Sequence, residues 1–230
     1  MLASEAVPAD AQMPFDINFI IRNLPLFGKG LVVTVELSLL AIIAAMIWGL
    51  VVAIGRMSQH RALRALAASY IEIVRDTPVL VQMYFIYFGF SMAGFGMTGF
   101  ASGLLALSLQ NGGYIAEIYR AGIESISIKQ LEGGKALGMS RWDVMSIVIL
   151  PQALVRVIPP LANQFIVIIK DTSLVSAIAV AELTQIGKLL MERSAASYEV
   201  ILTLAVLYLM LTGIVSAMSR LAERQFAIYH

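Results

Sequence analysis

Residues 31 to 54 form a long, almost uninterrupted apolar stretch, which reads LVVTVELSLLAIIAAMIWGLVVAI. Glu36 is the only ionisable residue in it. A run of about 17 to 25 apolar residues is long enough for an α-helix to cross the hydrocarbon core of a bilayer. The composition of the whole chain also indicates a membrane protein. Hydrophobic residues make up 59% of the chain and charged residues 13%, whereas a typical soluble domain has about 25% charged residues. We therefore predict an all-α membrane protein.

Further apolar runs of comparable length predict four more membrane-spanning helices. They lie at about Ala67–Phe90, Phe100–Tyr119, Val144–Ile169 and Val200–Leu221. The prediction is thus five transmembrane helices in one domain, residues 31–222. Residues 1–30 are expected to form an N-terminal tail with an interfacial helix over 17–29, where apolar and polar positions alternate. Residues 223–230 are expected to form a second tail.

The connecting segments differ in their content of lysine and arginine. These residues cluster after the first and third predicted spans and near the C-terminus, whereas residues 91–99 contain none. The segment after the fourth span gives a mixed indication of its side of the membrane, because it also contains Lys170, Lys188 and Arg193. Because cytoplasmic loops carry an excess of lysine and arginine, we predict that the N-terminus lies outside and the C-terminus lies in the cytoplasm.

Several classes of function are disfavoured by composition. The chain has no cysteine and two histidines, His60 and His230, which are too few and too far apart to indicate a metal site. A net charge of +1 gives no indication of nucleic-acid binding. The pattern G-x-x-x-x-G-K-[ST] does not occur, so the sequence shows no phosphate-binding loop.

The cytoplasmic segment after the third predicted span is long and polar. It contains Glu132-Gly133-Gly134-Lys135-Ala136-Leu137-Gly138 and, further on, Ile149-Leu150-Pro151. A helix that begins near Ile128 would place Glu132, Lys135 and Ala136 on one face. Gly138 is suited to a left-handed stop at the helix C-terminus. Such a projection can dock in a groove of a soluble partner, although an ordinary amphipathic connector has the same spacing.

This segment resembles the cytoplasmic signature of ABC importer permeases, which is Glu-Ala-Ala, three residues, Gly, and then Ile-x-Leu-Pro. Three other stretches are similar to the polar amino-acid uptake permeases in particular: Tyr70 to Gln82, Tyr114 to Ile123, and Lys170 to Leu174. The resemblance covers nearly everything from Gly30 to the end. One departure is that Gly133 and Gly134 stand where the family has two alanines. Because glycine costs a helix interior about 1 kcal/mol relative to alanine, this helix is expected to be softer or to pack more closely.

The resemblance implies a type I ABC importer permease fold and a role in importing polar amino acids by alternating access across the bacterial inner membrane. It implies a coupling helix at about residues 128–140 that contacts a separate ATPase dimer. ATP and Mg would be bound by that partner, so this chain is expected to be a permease without a cofactor of its own and not an enzyme. Further implied partners are a second permease subunit (identical or homologous), an extracytoplasmic substrate-binding protein and membrane lipid. The implied coupling residues are Glu132, Gly133, Gly134, Lys135, Ala136 and Gly138.

Polar residues inside the predicted spans are candidates for the transport pathway, since such residues are costly in a bilayer. Thr77-Pro78 and Pro159-Pro160 are each expected to interrupt a span, and broken helices line the central cavity of many transporters. The predicted pathway residues are Thr77, Gln82, Asn163, Gln164, Asp171 and Glu36. Structural or gating roles are predicted for Pro78, Pro151 and Lys170.

Other interpretations of the polar residues in the spans, and of the function, remain open. Ion pairs are an equally good interpretation for Glu72 with Arg75 and for Asp76 with Lys170, and pairing is the favoured role of Glu117 with Arg120. Many relatives have an acidic residue at the position of Gln164, and its absence weakly disfavours an arginine or lysine carrier. Opines and cystine are alternative substrates. Outside the resemblance, an ATP-independent channel, a secondary transporter subunit or a structural membrane scaffold also fits.

Overall fold

A computed structural model describes residues 15–194 and 196–226, and within these residues the chain is helical and contains no strand. The predicted all-α class is confirmed. Residues 1–14 and 227–230, which belong to the two predicted tails, lie outside the described residues. The α-helices in the described part are α1 (Ile17–Arg56), α2 (Arg61–Asp76), α3 (Val79–Tyr84), α4 (Phe90–Met92), α5 (Gly99–Glu124), α6 (Ile128–Ala136), α7 (Arg141–Asp143), α8 (Leu150–Asp171), α9 (Leu183–Arg193) and α10 (Ser197–Phe226).

Three segments of other helix types join these elements. Residues Phe85–Gly89 form a π-helix between α3 and α4, and Val144–Ile149 form a second one that leads into α8. Residues Thr172–Ile178 continue α8 as a 3-10 helix. By length and composition, three helical stretches are suited to cross a membrane: Ile17–Arg56, Arg141–Ile178 and Ser197–Leu221. They correspond to the first, fourth and fifth predicted spans.

Helix α1 is a single helix of 40 residues, and this differs from the separate interfacial helix predicted over residues 17–29. The carboxylate of Asp16 caps its N-terminus by accepting a hydrogen bond from the Phe19 N–H. The helix continues through Pro25, and Phe27 and Leu31, on the two sides of residue 30, pack in one cluster with residues of α9. Phe27 is fully buried, and Gly30 lies so close to Leu183 that a Cβ would come within 2.9 Å of its Cα. In this structure, therefore, residues 17–29 and the first predicted span form one helix.

Helix α5 is the centre of the bundle and packs against α1, α2 and α8. Small residues make these approaches possible. A Cβ on Gly112 would lie 2.7 Å from the Trp48 ring of α1, and one on Gly113 would lie 2.5 Å from Val74 of α2. On the third side, a Cβ on Gly122 would lie 2.2 Å from Val157 of α8. Close helix contact through glycine is a common device in membrane proteins.

The two predicted helix interruptions have different outcomes. At Thr77-Pro78 the chain is extended, with ψ near 136° at both residues, so α2 ends and α3 begins as predicted. Pro159 and Pro160, by contrast, lie inside a continuous α8, and the prediction of a break there is wrong. Proline's φ is compatible with a helix although each proline removes one backbone hydrogen bond. The buried residues Val157 and Leu161 hold α8 against its neighbours on both sides of the pair.

The segment between α8 and α10 is fastened by one buried carboxylate. Glu182 is 0% exposed and caps α9, accepting hydrogen bonds from the backbone N–H groups of Thr184 and Gln185. The same carboxylate accepts hydrogen bonds from Thr34 of α1 and Tyr208 of α10. Burial raises the pKa of the Glu182 carboxyl, and the hydrogen bonds it accepts oppose that rise. The carboxylate thereby ties three helices together.

Candidate functional site

Helix α6 is the element predicted to couple this chain to a partner, and its two ends are set by local sequence. The Ser127 side chain caps its N-terminus by accepting a hydrogen bond from the Lys129 N–H. At the other end Gly138 has φ +78°, as predicted. Its N–H donates to the Lys135 carbonyl, and the Met139 N–H donates to the Gly134 carbonyl. This pair of bonds is the Schellman motif, which requires a left-handed residue at the stop.

The two glycines that replace alanines in α6 have different surroundings. Gly134 is buried, and a Cβ there would lie 2.6 Å from Val144 at the start of the π-helix that leads into α8. Gly133 is exposed and has no neighbouring atom within 4 Å of a Cβ. Close packing thus explains Gly134, and nothing in the structure explains Gly133.

The surface of α6 that faces away from the bundle carries the predicted contact residues. Glu132, Lys135 and Ala136 are all exposed. Two large apolar side chains stand beside them, with Leu137 83% exposed and Trp142 77% exposed. Leu137 and Trp142 were not among the predicted contact residues, although an exposed tryptophan next to a motif is itself a signal of contact.

A cleft of about 490 Å³ opens between α2, α5 and α8. Charged and polar side chains line this cleft near the C-terminal end of α2. The residues that line it are Arg75, Tyr114, Glu117, Ile118, Ala121, Gly122, Ser125, Arg156, Pro160 and Gln164.

Cations outnumber available anions in this cleft. The Arg75 guanidinium lies over the Tyr114 ring, 5.1 Å from its centroid. The Glu117 carboxylate is held by Arg120, as predicted, and also lies 3.9 Å from Arg56. Arg156 donates a hydrogen bond of 2.6 Å to the Ser125 carbonyl. Among the described residues, neither cleft arginine forms an ion pair, so the cleft is suited to a ligand with a carboxylate.

Gln164 is the predicted pathway residue that lines the cleft. Its amide Nε2 donates a hydrogen bond of 2.6 Å to Oδ1 of Asn111, which is 1% exposed. Asn111 also donates to the Leu107 carbonyl one turn earlier in α5. Asn111 was not among the predicted site residues, although a polar amide in the middle of an apolar span was an available signal.

Thr77 and Gln82 are brought together at the helix break, where they perform a structural task. The Val74 carbonyl loses its helical partner because residue 78 is proline. The Gln82 amide Nε2 donates to that carbonyl over 3.0 Å, and it also contacts the carbonyl and hydroxyl oxygens of Thr77. The hydrogen-bond donors of the Gln82 amide are therefore used within the chain. Pro78 lies directly before α3, as its N-cap residue.

The other predicted site residues lie away from the cleft lining. Asn163 is exposed next to Gln164, and Lys170 and Asp171 stand at the far end of α8. Glu36 is exposed on α1, and Pro151 lies in the first turn of α8. The predicted pairs of Glu72 with Arg75 and of Asp76 with Lys170 are absent from the ion pairs of the described residues. No cluster of potential metal ligands occurs in the described part of the chain either.

The sequence matches a family of known transport proteins over most of its length. The family described as "Binding-protein-dependent transport system inner membrane component" matches residues 41–227. The glutamine transport system permease protein GlnP of Escherichia coli (strain K12) is 38% identical over 218 residues, which cover 94% of this chain and 100% of that protein. The L-cystine transport system permease protein TcyB of Bacillus subtilis (strain 168) is 37% identical, covering 89% of this chain and 88% of its own.

Solved structures show the same architecture. A chain in a crystal structure of an amino acid ABC transporter with histidines superimposes with a TM-score of 0.89 at 35% identity, covering 93% of this chain and 100% of that one. A chain of the MetNI methionine ABC transporter shares the fold, with a TM-score of 0.69 at 17% identity over 87% of this chain and 98% of that one. The predicted importer-permease fold is thereby confirmed, as is the prediction of a membrane transport component that is not an enzyme. The chain belongs to the family of inner membrane components of binding-protein-dependent transport systems.

Proposed function

We propose that this chain is the permease subunit of an ABC importer that moves polar amino acids across the inner membrane by alternating access. The observation that carries the proposal is the cleft between α2, α5 and α8, which combines two arginines without ion-pair partners and the amide of Gln164. The relatives named for glutamine and cystine transport support the same class of substrate.

The substrate carboxylate is proposed to face the guanidinium groups of Arg75 and Arg156 from within the cleft. Gln164 contributes an amide at the inner end, and its orientation is fixed by Asn111. Asn163 and Asp171 are proposed to continue the same pathway along α8 beyond the cleft. Asp171, about 22 Å along the helix from Arg156, offers a carboxylate to the substrate ammonium at a separate stage of its passage. Thr77 and Gln82 hold the helix break that shapes the pathway wall.

The pathway assignment is tested by alanine variants at Gln164 and Asp171. Each is expected to reduce uptake or change substrate preference at normal expression. Alanine at Leu154, an exposed residue of α8 outside the cleft lining, serves as a control for general damage to α8. Unchanged uptake and preference in both variants would contradict the assignment.

Coupling to ATP hydrolysis is proposed to run through α6. The exposed residues Glu132, Lys135 and Ala136 are available to a separate ATPase dimer, which would bind ATP and Mg. Gly134 packs on Val144, so a displacement of α6 is passed directly to the segment that leads into α8. The remaining proposed partners are an extracytoplasmic binding protein and a second permease subunit.

Affinity purification of the tagged chain from native membranes tests this coupling. We expect mass spectrometry to identify an ATPase with a phosphate-binding loop, and we expect it to be lost when Glu132 and Gly138 are replaced by alanine. Recovery of a well-folded chain without any ATPase would favour an ATP-independent transporter. The orientation, with the N-terminus outside and the C-terminus in the cytoplasm, is tested by protease accessibility of tags at the two ends.

A further inference from the structure

Gln110 lies on the face of α5 that lines the cleft between α2, α5 and α8. Tyr114 and Glu117 are among the lining residues of α5. Gln110 precedes Tyr114 by four residues, which places it on the same helix face about 6 Å further along the axis. The next residue, Asn111, accepts the hydrogen bond from Gln164, so the α8 wall of the cleft extends to this level. Gln110 therefore adjoins the inner end of the cleft.

The break between α2 and α3 lies at the same level as Gln110. Helices α2 and α5 run antiparallel, because Ile71 shares a hydrophobic cluster with Ala116, whereas Val74, further along α2, packs against Gly113, earlier in α5. Continuing this register by one turn brings the extended residues that follow α2 beside Gln110. Broken helices of this kind line the central cavity of many transporters. Gln110 thus has an interrupted helix on one side and the amide pair of the cleft on the other.

The side-chain carbonyl of Gln110 has no hydrogen-bond donor in the described part of the chain. Its Oε1 atom is shielded from solvent, although the residue as a whole is only half-buried. The nearby amides of Gln82, Asn111 and Gln164, by contrast, all donate hydrogen bonds within the chain. A buried acceptor without a donor is destabilising, so its presence beside a cleft indicates a role other than packing.

We propose that Oε1 of Gln110 accepts a hydrogen bond from the ammonium group of the amino acid in the cleft. Arg75, which faces the substrate carboxylate in the proposed function, lies over the Tyr114 ring, one turn from Gln110. The ammonium and the carboxylate of an α-amino acid are attached to the same carbon, so a molecule bound at Arg75 presents its ammonium close to residue 110. The terminal torsion of a glutamine side chain has a broad minimum, and rotation about it turns Oε1 toward the substrate. The inference rests on the proposed function and adds a residue that selects for the ammonium group.

Ligand binding by the purified chain tests this contact. The chain is isolated in detergent with its co-isolated partners, and the binding protein and ATP are removed. Glutamine, asparagine, glutamate and histidine are then titrated, and affinities are taken from the rise in melting temperature that each produces. Gln110→Met keeps the length of the side chain and removes its carbonyl. We expect about tenfold weaker binding of the amino acids that stabilise the unmodified chain, because a hydrogen bond to a charged group is lost.

A substrate analogue shows whether the ammonium is the group that Gln110 contacts. In the analogue, hydrogen replaces the ammonium of an amino acid that binds. The analogue is expected to bind the unmodified chain and Gln110→Met equally, since neither can form the hydrogen bond with it. An equal loss of affinity for the amino acid and for its analogue would contradict a contact with the ammonium.

Ser102→Ala is the matched control. The Ser102 hydroxyl oxygen is also buried without a hydrogen-bond partner among the described residues, and it lies about 12 Å beyond Gln110 along α5. Both variants remove an unpaired polar atom, so neither is expected to lower the melting temperature of the ligand-free chain. Only Gln110→Met is expected to weaken amino-acid binding. Preserved affinity in Gln110→Met, an equal loss in Ser102→Ala, or a lower ligand-free melting temperature for Gln110→Met would overturn the assignment.

These outcomes are separable from those of the proposed function, because binding is measured without ATP. If ATP drives uptake but Gln110→Met binds amino acids normally, only the role of Gln110 fails. If binding depends on Gln110 but uptake requires an ion gradient instead of ATP, the contact stands and the ATP-driven mechanism fails. If no amino acid stabilises the unmodified chain, the role of Gln110 and the cleft assignment fail together.

Discussion

Helix α6 and the cleft between α2, α5 and α8 are both candidate functional regions, but they are built in different ways. The form of α6 is set by neighbours in sequence: Ser127 at its start, Gly138 at its stop, and bonds that span a few residues. The cleft is assembled from three helices, and its central bond joins Gln164 to Asn111, 53 positions apart. The comparison predicts that α6 is sensitive to backbone and volume changes, whereas the cleft is sensitive to the loss of single polar partners.

The largest effect is expected when a larger side chain replaces Gly134 on the buried side of α6. Gly134→Val places atoms where Val144 already lies, and overpacking of this kind costs about 1 to 3 kcal/mol. We expect ATP-driven uptake to fall at least tenfold while the chain still reaches the membrane. Gly133→Val is the matched control, since its surroundings are open. Equal losses in both variants would show that packing on Val144 is not the cause.

The next effect concerns the amide pair of the cleft. Asn111→Leu removes the acceptor of the part-buried Gln164 amide and the buried donor to the Leu107 carbonyl, and each such hydrogen bond contributes about 0.5 to 1.5 kcal/mol. We expect a lower melting temperature for the purified protein and a weaker response to substrate. Asn163→Leu, on the exposed neighbour of Gln164, is expected to leave the melting temperature nearly unchanged. A melting temperature for Asn111→Leu equal to that of the unmodified protein would contradict the assigned role of the pair.

A smaller effect is expected at the stop of α6. Gly138 has φ +78° and open surroundings, and so has Gly94, at φ +84°, outside α6. Alanine in the left-handed region costs about 1 to 2 kcal/mol at either position. Similar losses of thermal stability are therefore expected for the two variants, but only Gly138→Ala should reduce recovery of the ATPase. Reduced recovery with Gly94→Ala as well would point to general destabilisation.

The smallest effect is expected at Gly133, where alanine meets no neighbour. Gly133→Ala should stabilise α6 by about 0.5 to 1 kcal/mol because glycine loses more conformational freedom on folding. Hydrogen exchange of the α6 amides is expected to slow by a few fold, without a decrease in uptake. Faster exchange would mean that residue 133 has a contact on a partner that only glycine allows.

The contrast between local and long-range contacts also explains which structural features could be predicted from the sequence. The apolar run from Leu31 to Ile54 and the left-handed stop at Gly138 depend on local composition and geometry, and both predictions agree with the structure. The continuity of α8 through Pro159-Pro160 depends on packing against neighbouring helices, so the local pattern gave the wrong answer there. Residues 17–29 are helical as predicted, and only their continuation into the first span as one helix required the structure.

The distinction between local patterns and long-range packing also applies to the site residues. Gln164 was identifiable as a polar residue in a span, but its partner Asn111 depends on how α5 and α8 approach each other. Gln82 was predicted to line the pathway, yet its amide is engaged with the Val74 carbonyl that Pro78 leaves without a donor. A polar residue in a membrane helix thus indicates a special environment, and only the three-dimensional contacts distinguish a scaffold from a pathway.

Uptake by the reconstituted assembly tests the central claim most directly. The chain is purified with its co-isolated partners, placed in liposomes, and supplied with a panel of labelled polar amino acids on the side of the binding protein. We predict uptake that requires ATP on the opposite side and is lost with Gly134→Val. Uptake driven by an ion gradient without ATP would contradict an ATP-coupled permease, and ATP-driven uptake unaffected by Gly134→Val would contradict coupling through α6.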